Sequence, residues 1–125
     1  MTVYANKAFS RFAAKAKLDD AALLDAAAAV AGGDFDADLG GGVFKQRIAR
    51  EGGGKSGGYR AILLFKVGRH CFFVHGFAKS TQAYVSAKEL TALKKLADTM
   101  LGMSAGDIEL AIKGGAIREV VESNG

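Results

Sequence analysis

The chain has no proline, a single cysteine and no apolar run long enough to cross a bilayer. A spanning helix needs about 20 apolar residues, so a membrane partner is not expected. One thiol, Cys71, excludes an internal disulfide and fits a reducing compartment. The opening MTVYANKAFSRF is too polar for a secretory signal, and the expected location is the cytoplasm. No group of cysteines and histidines has metal-ligand spacing, and Cys71, inside the apolar HCFFV, reads as a core residue. Without proline, glycine is the punctuation, and its clusters mark loops.

What remains is a single domain of 125 residues, half of them hydrophobic, enough for a core without metal or disulfide. The net charge of +4 is mild, but it is unevenly spread. Lys45, Arg47, Arg50, Lys55, Arg60, Lys66, Arg69 and Lys79 fall within one stretch and oppose only Glu51. Such a concentration fits a phosphate-bearing partner, or else a solvated sheet face balanced by acids on the flanking helices.

That stretch, 43–80, reads as three antiparallel strands: 43–50, 59–67 and 70–77. Ahead of it, Thr2–Tyr4 suits a short strand and Ala8–Lys17 a helix, with Phe9, Phe12, Ala13 and Ala16 at helical spacing. Asp19 or Asp20 caps a second, alanine-rich helix that Gly32 ends. The DFDADLGGG segment alternates Asp34, Asp36 and Asp38, but it lacks the glycine and distant glutamate of a calcium loop and reads as a polar connector. After the strands, Ser86 and Glu89 form a capping box for a leucine-rich helix ended by Gly102. Ser104 caps a shorter helix, and 116–121 is a brief strand or a loosely held tail.

GGGKS resembles a phosphate-cradling loop only in part. The pattern needs glycine at 49, where Ala49 stands, and a helix afterwards, where a strand follows. A basic loop carrying Lys55, settling on RNA phosphates or merely joining two strands, is the better account. His70 and His75 are an odd number of residues apart, so a regular strand sends them to opposite faces and a paired-histidine mechanism is not expected. His75 alone is either a proton carrier or a hydrogen-bonded surface group.

Strand parity puts Lys45 and Arg47 on one face, away from Phe44 and Ile48. RNA can be cut by its own 2′-hydroxyl if the protein positions the backbone, stabilises the charge on phosphorus and moves two protons. Arginine and lysine meet the first two needs without a metal. A lysine crowded by other cations gives up its proton more readily and can serve as base. Lys45, Arg47 and Arg60 on neighbouring strands suit this, with Lys79 and Tyr84 placed to close the site. The reading requires the three strand cations to converge on one pocket, unclaimed by the chain's own acids.

VFKQRIAR, GGGKSGGYRAILLF and FFVHGFAKS, followed by a capped leucine-rich helix, resemble the RelE/HigB-type toxins of bacterial toxin–antitoxin pairs, from about Leu39 to Leu101. The resemblance implies an α+β fold with two N-terminal helices on a small antiparallel sheet and helices at the C-terminal end. Residues 1–125 then form one domain, with 103–125 as a C-terminal extension. It implies a ribosome-dependent endonuclease that cuts mRNA in the A site by 2′-hydroxyl attack, without metal or cofactor. Its partners would be the ribosome, mRNA and a cognate antitoxin with a helix-turn-helix DNA-binding domain. By position, Lys45 and Arg47 match the cations that activate and hold substrate, Arg60 the arginine that stabilises the transition state, and Tyr84 a tyrosine that stacks or assists proton transfer. Where many members have an arginine after the last strand, this chain has Ala78, with Lys79 as a substitute aided by His75. Arg50, Lys55, Lys66 and His75 complete the expected RNA contacts. The alternatives are a gyrase-inhibiting toxin of the related ParE type and a non-catalytic RNA-binding or decayed toxin domain.

Overall fold

The computed structural model describes residues 1–49, 58–78 and 85–122. Four of the expected site residues, Arg50, Lys55, Lys79 and Tyr84, lie outside the described residues.

Strand β1 (Val3–Asn6) leads directly into helix α1 (Lys7–Ala16) because Asn6 serves both elements. Its side-chain oxygen accepts from the Phe9 amide at 2.8 Å, and its Nδ2 donates to Val74 O at 3.2 Å. A cap of this kind contributes about 1 kcal/mol. Lys17 closes α1 in the left-handed region, with φ of 58°. Asp19, rather than Asp20, then caps α2 (Asp20–Ala31) by accepting from the Ala22 amide, and Gly32 ends it.

Strands β2 (Ala37–Gly40), β3 (Val43–Ile48), β4 (Tyr59–Phe65) and β5 (Cys71–Ala78) follow, then α3 (Ala87–Leu101), α4 (Ala105–Lys113) and β6 (Ile117–Glu119). Among the described residues the sheet has six strands in the order β2-β3-β4-β5-β1-β6. All neighbours are antiparallel except β1 and β5, which run parallel. The three central strands β3, β4 and β5 form the expected meander. β2 corrects the reading of DFDADLGGG as a connector: Ala37 and Asp38 pair with Lys45 and Phe44. The glycines at and after its end sit at positive φ (87°, 64° and 85° at Gly40, Gly41 and Gly42), which a tight turn back into β3 requires and other residues resist.

Helices cover both faces. On one, α1 and α2 bury Phe9, Ala13, Leu23, Ala27 and Val30 against Ile48, Leu63 and Phe73, with the Phe9 and Phe73 rings 4.8 Å apart. Phe12 lies so close over Gly76 that any side chain there would collide with its ring. On the other face, α3 and α4 bury Ala97, Met100 and Ile108 against Val43, Ile62, Leu64 and Phe72. Each large side chain removed from water contributes about 1.5–3 kcal/mol. Cys71 is fully buried, and burial pushes its thiol up to about 12, so it stays a neutral core residue.

The last strand belongs to the sheet. β6 pairs with β1, and Ile117 and Val120 are buried. Arg118 donates to both oxygens of Asp20 on α2, at 3.1 and 3.0 Å, and to Ser10 Oγ on α1 at 3.2 Å. Asp20 also accepts from the Val121 amide at 3.1 Å. This clasp ties the C-terminal strand to both N-terminal helices.

Candidate active site

The register of β3 on β4 sets the geometry. Arg47 stands directly opposite Arg60, and Lys45 opposite Ile62. Cross-strand partners share a face, so all three cations project on the side of the sheet that carries Ile62. One row further across, Ile62 pairs with His75 of β5. Lys45 and His75 therefore flank a buried isoleucine, roughly 10 Å apart at the usual strand spacing. Arg47 and His75 are exposed, while Arg60 is buried to 9% of its free surface.

His75 reaches this face by way of an irregularity. The register slips between Ile62 and Leu63, which pair with His75 and Phe73, so Val74 is an extra residue in β5. A bulge of that kind resets the alternation. His70, whose ring packs 5.4 Å from Tyr4 and 6.4 Å from Phe72, and His75, whose ring lies 5.7 Å from Phe77, consequently share one face. This corrects the parity argument that separated them. They remain about 16 Å apart along the strand, too far to share one phosphorus atom. On the α3 side His75 faces Glu89. That carboxyl is held below its usual range first by the Ser86 hydroxyl, then by the Ser86 amide, and lastly by the charge of His75.

One carboxylate is central to the cluster. Asp36 Oδ2 lies 3.4 Å from Arg60 Nε and 3.6 Å from Lys45 Nζ. Two of the three cations thus converge on one point, where all three were expected, and that point is occupied by the chain's own acid, contrary to the condition set on the sequence. Both separations exceed the 2.7–2.9 Å of a charge-assisted hydrogen bond. Part-solvated pairs of this kind contribute about 1 kcal/mol or less. Among the described residues the one hydrogen bond of the Arg60 guanidinium is a long one, 3.5 Å to Tyr59 O.

Asp36 is held where it is by backbone. Its amide donates to Lys45 O at 3.0 Å. Two residues earlier, Asp34 O accepts from Gln46 Nε2 at 2.7 Å, and Gln46 Oε1 accepts from the Arg47 amide at 3.0 Å. Gln46 is buried and works as a brace for the loop. Asp36 was read from the sequence only as part of a polar connector, and Gln46 was not assigned a role. The available signal was the alternation of Phe35, Ala37 and Leu39 with the aspartates, which is the period of a strand edge.

Arg47, Arg60 and Asp36 also border an open cleft of about 970 Å³ between α2 and the end of β3. Asp19, Asp25 and Asp34 line it as well, so its acids outnumber its cations and it does not by itself make a bed for a polyanion. Lys66 is not part of the cluster. It follows β4 at the end opposite Arg60, roughly 20 Å along the strand. Arg69 is a structural cap: its Nε donates to Leu101 O at 2.8 Å and its Nη2 to Met103 O at 3.3 Å, closing α3. Among the described residues no group of three or more His, Cys, Asp or Glu side chains is arranged to hold a metal ion, and no helix is long and apolar enough to cross a membrane.

What this arrangement can do chemically is bind an anion at the Lys45–Arg60 point, with Arg47 beside it. Comparison with curated proteins finds no match. A family model described as the RelE toxin of the RelE/RelB toxin–antitoxin system matches residues 1–120, from β1 through β6. With nearly its whole length matched, the chain belongs to the RelE toxin family and is the toxin of a toxin–antitoxin system, which implies a cognate antitoxin as its partner.

Proposed function

We propose that this toxin is a metal-independent endoribonuclease that acts in the cytoplasm on the ribosome, cutting mRNA in the A site. The substrate's 2′-oxygen attacks the adjacent phosphorus, the bond from phosphorus to the 5′-oxygen breaks, and a 2′,3′-cyclic phosphate and a 5′-hydroxyl result. The 2′-hydroxyl proton leaves to a base and the 5′-oxygen gains one from an acid. Arg60, largely buried, stabilises the extra charge on the phosphoryl oxygens. Lys45 and Arg47 hold and activate the nucleotide, and Lys79, Tyr84 and His75 are the groups from which the leaving oxygen is protonated. Arg50 and Lys55 contact flanking phosphates. The partner antitoxin carries a helix-turn-helix DNA-binding domain.

The observation that carries this reading is the convergence of Lys45 and Arg60 on one oxygen-sized position, with Arg47 directly opposite Arg60. The test is induction of the toxin without its antitoxin, followed by primer extension on translated messages. Discrete cuts within reading frames are expected, and strongly reduced ones with Arg60→Ala. Intact mRNA with DNA-damage signalling would assign the ParE type instead, and unchanged growth with unchanged mRNA a non-catalytic domain.

A further inference from the structure

We propose that Asp36 is the built-in counter-ion of this site: it keeps Lys45 and Arg60 aimed at one point and gives that point up when a phosphodiester of RNA enters. The inference rests on the proposed RNA-cutting function and adds to it a residue that competes with the substrate.

Three observations support the idea. First, a single atom, Oδ2, serves both cations, at 3.4 and 3.6 Å, which is how one non-bridging phosphoryl oxygen would be shared. Second, the location is built rather than incidental, since the Asp36 amide is bonded to Lys45 O and the preceding turn is braced by Gln46. Third, the carboxylate is held loosely. Its side chain is 30% exposed, its contacts are longer than charge-assisted hydrogen bonds, and it borders the open cleft into which it can turn. By contrast, a carboxylate meant only to fix an arginine would take both prongs of the guanidinium, as Asp20 does with Arg118.

Like charges on adjacent strands repel, so without an anion Lys45, Arg47 and Arg60 would splay apart. Asp36 offsets that repulsion while the site is empty. A phosphodiester carries the same charge but, unlike the backbone-tethered Asp36, is free to turn two oxygens to the Arg60 fork, and so displaces it. Binding is then an exchange of one anion for another, and part of the site's attraction for RNA is cancelled in advance.

The test uses a short single-stranded oligonucleotide with 2′-deoxy sugars throughout, which can bind but cannot supply the nucleophile. Asp36→Asn should bind it on the order of tenfold more tightly than the wild type. The slope of log affinity against log salt should steepen by roughly one, because a cation formerly neutralised by Asp36 now releases a counter-ion on binding. Asp25→Asn, an acid of the same cleft, should change neither. Unchanged or weaker binding by a folded Asp36→Asn would overturn the proposal.

Should that variant fail to fold, the wild type decides. On titration with inorganic phosphate, the Asp36 carboxyl carbon and the Arg60 Nε–H resonances should move together. Movement at Arg60 with a static Asp36, or no response at either, would overturn the proposal. The two readings fail separately. A wild type that cuts mRNA while Asp36→Asn binds no more tightly defeats the counter-ion alone. A protein that cuts nothing but shows the coupled phosphate response defeats the nuclease alone.

Discussion

Asp20 grips Arg118 through two bonds at 3.0 and 3.1 Å, whereas Asp36 reaches Arg60 at 3.4 Å and shares the same oxygen with Lys45 at 3.6 Å. The first carboxylate accepts a third bond, from the Val121 amide. Its arginine spends a third donor on Ser10. The second is spread across two strands and completes a bond with neither cation. Both pairs are partly solvated, so exposure does not distinguish them. Geometry does. A fork-to-fork pair fixes two elements against each other, while a loose three-way contact leaves cations that a better-shaped anion can claim.

The largest expected effect falls on the loose side. Arg60→Ala should lower mRNA cleavage on the order of 10²- to 10³-fold, as loss of a transition-state donor does, with little change in thermal unfolding. Retained full toxicity would remove Arg60 from the proposed chemistry. Next, Lys45→Ala and Arg47→Ala should each lower cleavage about tenfold or more, whereas Lys88→Ala on exposed α3 should leave it near the wild-type rate. Equal effects at all three positions would mean a diffuse basic surface rather than a site.

On the tight side the readout changes from rate to stability. Arg118→Ala should cost about 1–2 kcal/mol after allowance for solvent screening, seen as a fall of several degrees in Tm, while cleavage persists. Loss of cleavage with an unchanged Tm would reverse the contrast drawn here.

The smallest effect is a pH signature. Burial pushes the Asp20 carboxyl up, yet the Arg118 hydrogen bonds, the Val121 amide and the Arg118 charge together hold it below the ordinary carboxylate range. A carboxyl depressed in the folded state stabilises fully above its unfolded pKa, near 3.9, and that stability is lost as pH falls through the lower folded value. The Tm difference between the wild type and Asp20→Asn should therefore hold above about pH 4 and shrink below it. A difference that instead grows with acid would contradict the assignment.

The local features were legible in the sequence. The Ser86–Glu89 and Ser104–Asp107 capping boxes are both present, and Gly32 and Gly102 end their helices. Apolar alternation found β3, β4 and β5, because each signal lies within a few residues. What stayed hidden was non-local. β2 was hidden by Asp38 and the aspartates before it, since its strand character depends on pairing with β3. One extra residue, Val74, turned His75 to the face that parity had denied it. Arg69 counted as a surface cation until α3 placed its last carbonyls within reach. Of the candidate site, strand spacing gave Lys45 and Arg47 as a pair. Only the β3–β4 register could bring Arg60 to them, and only the loop brace could deliver Asp36.

The position of β1 has a consequence for how the molecule comes into being. It precedes the other five strands of the sheet in the chain, yet it lies between β5 and β6, so its two flanks are filled only by segments made much later. Pairings this distant along the chain form late and slowly. Until β6 has been made, the chain lacks both that seal and the Arg118 clasp. A chain cut short of β6 therefore leaves one flank of β1 unpaired and open to another strand.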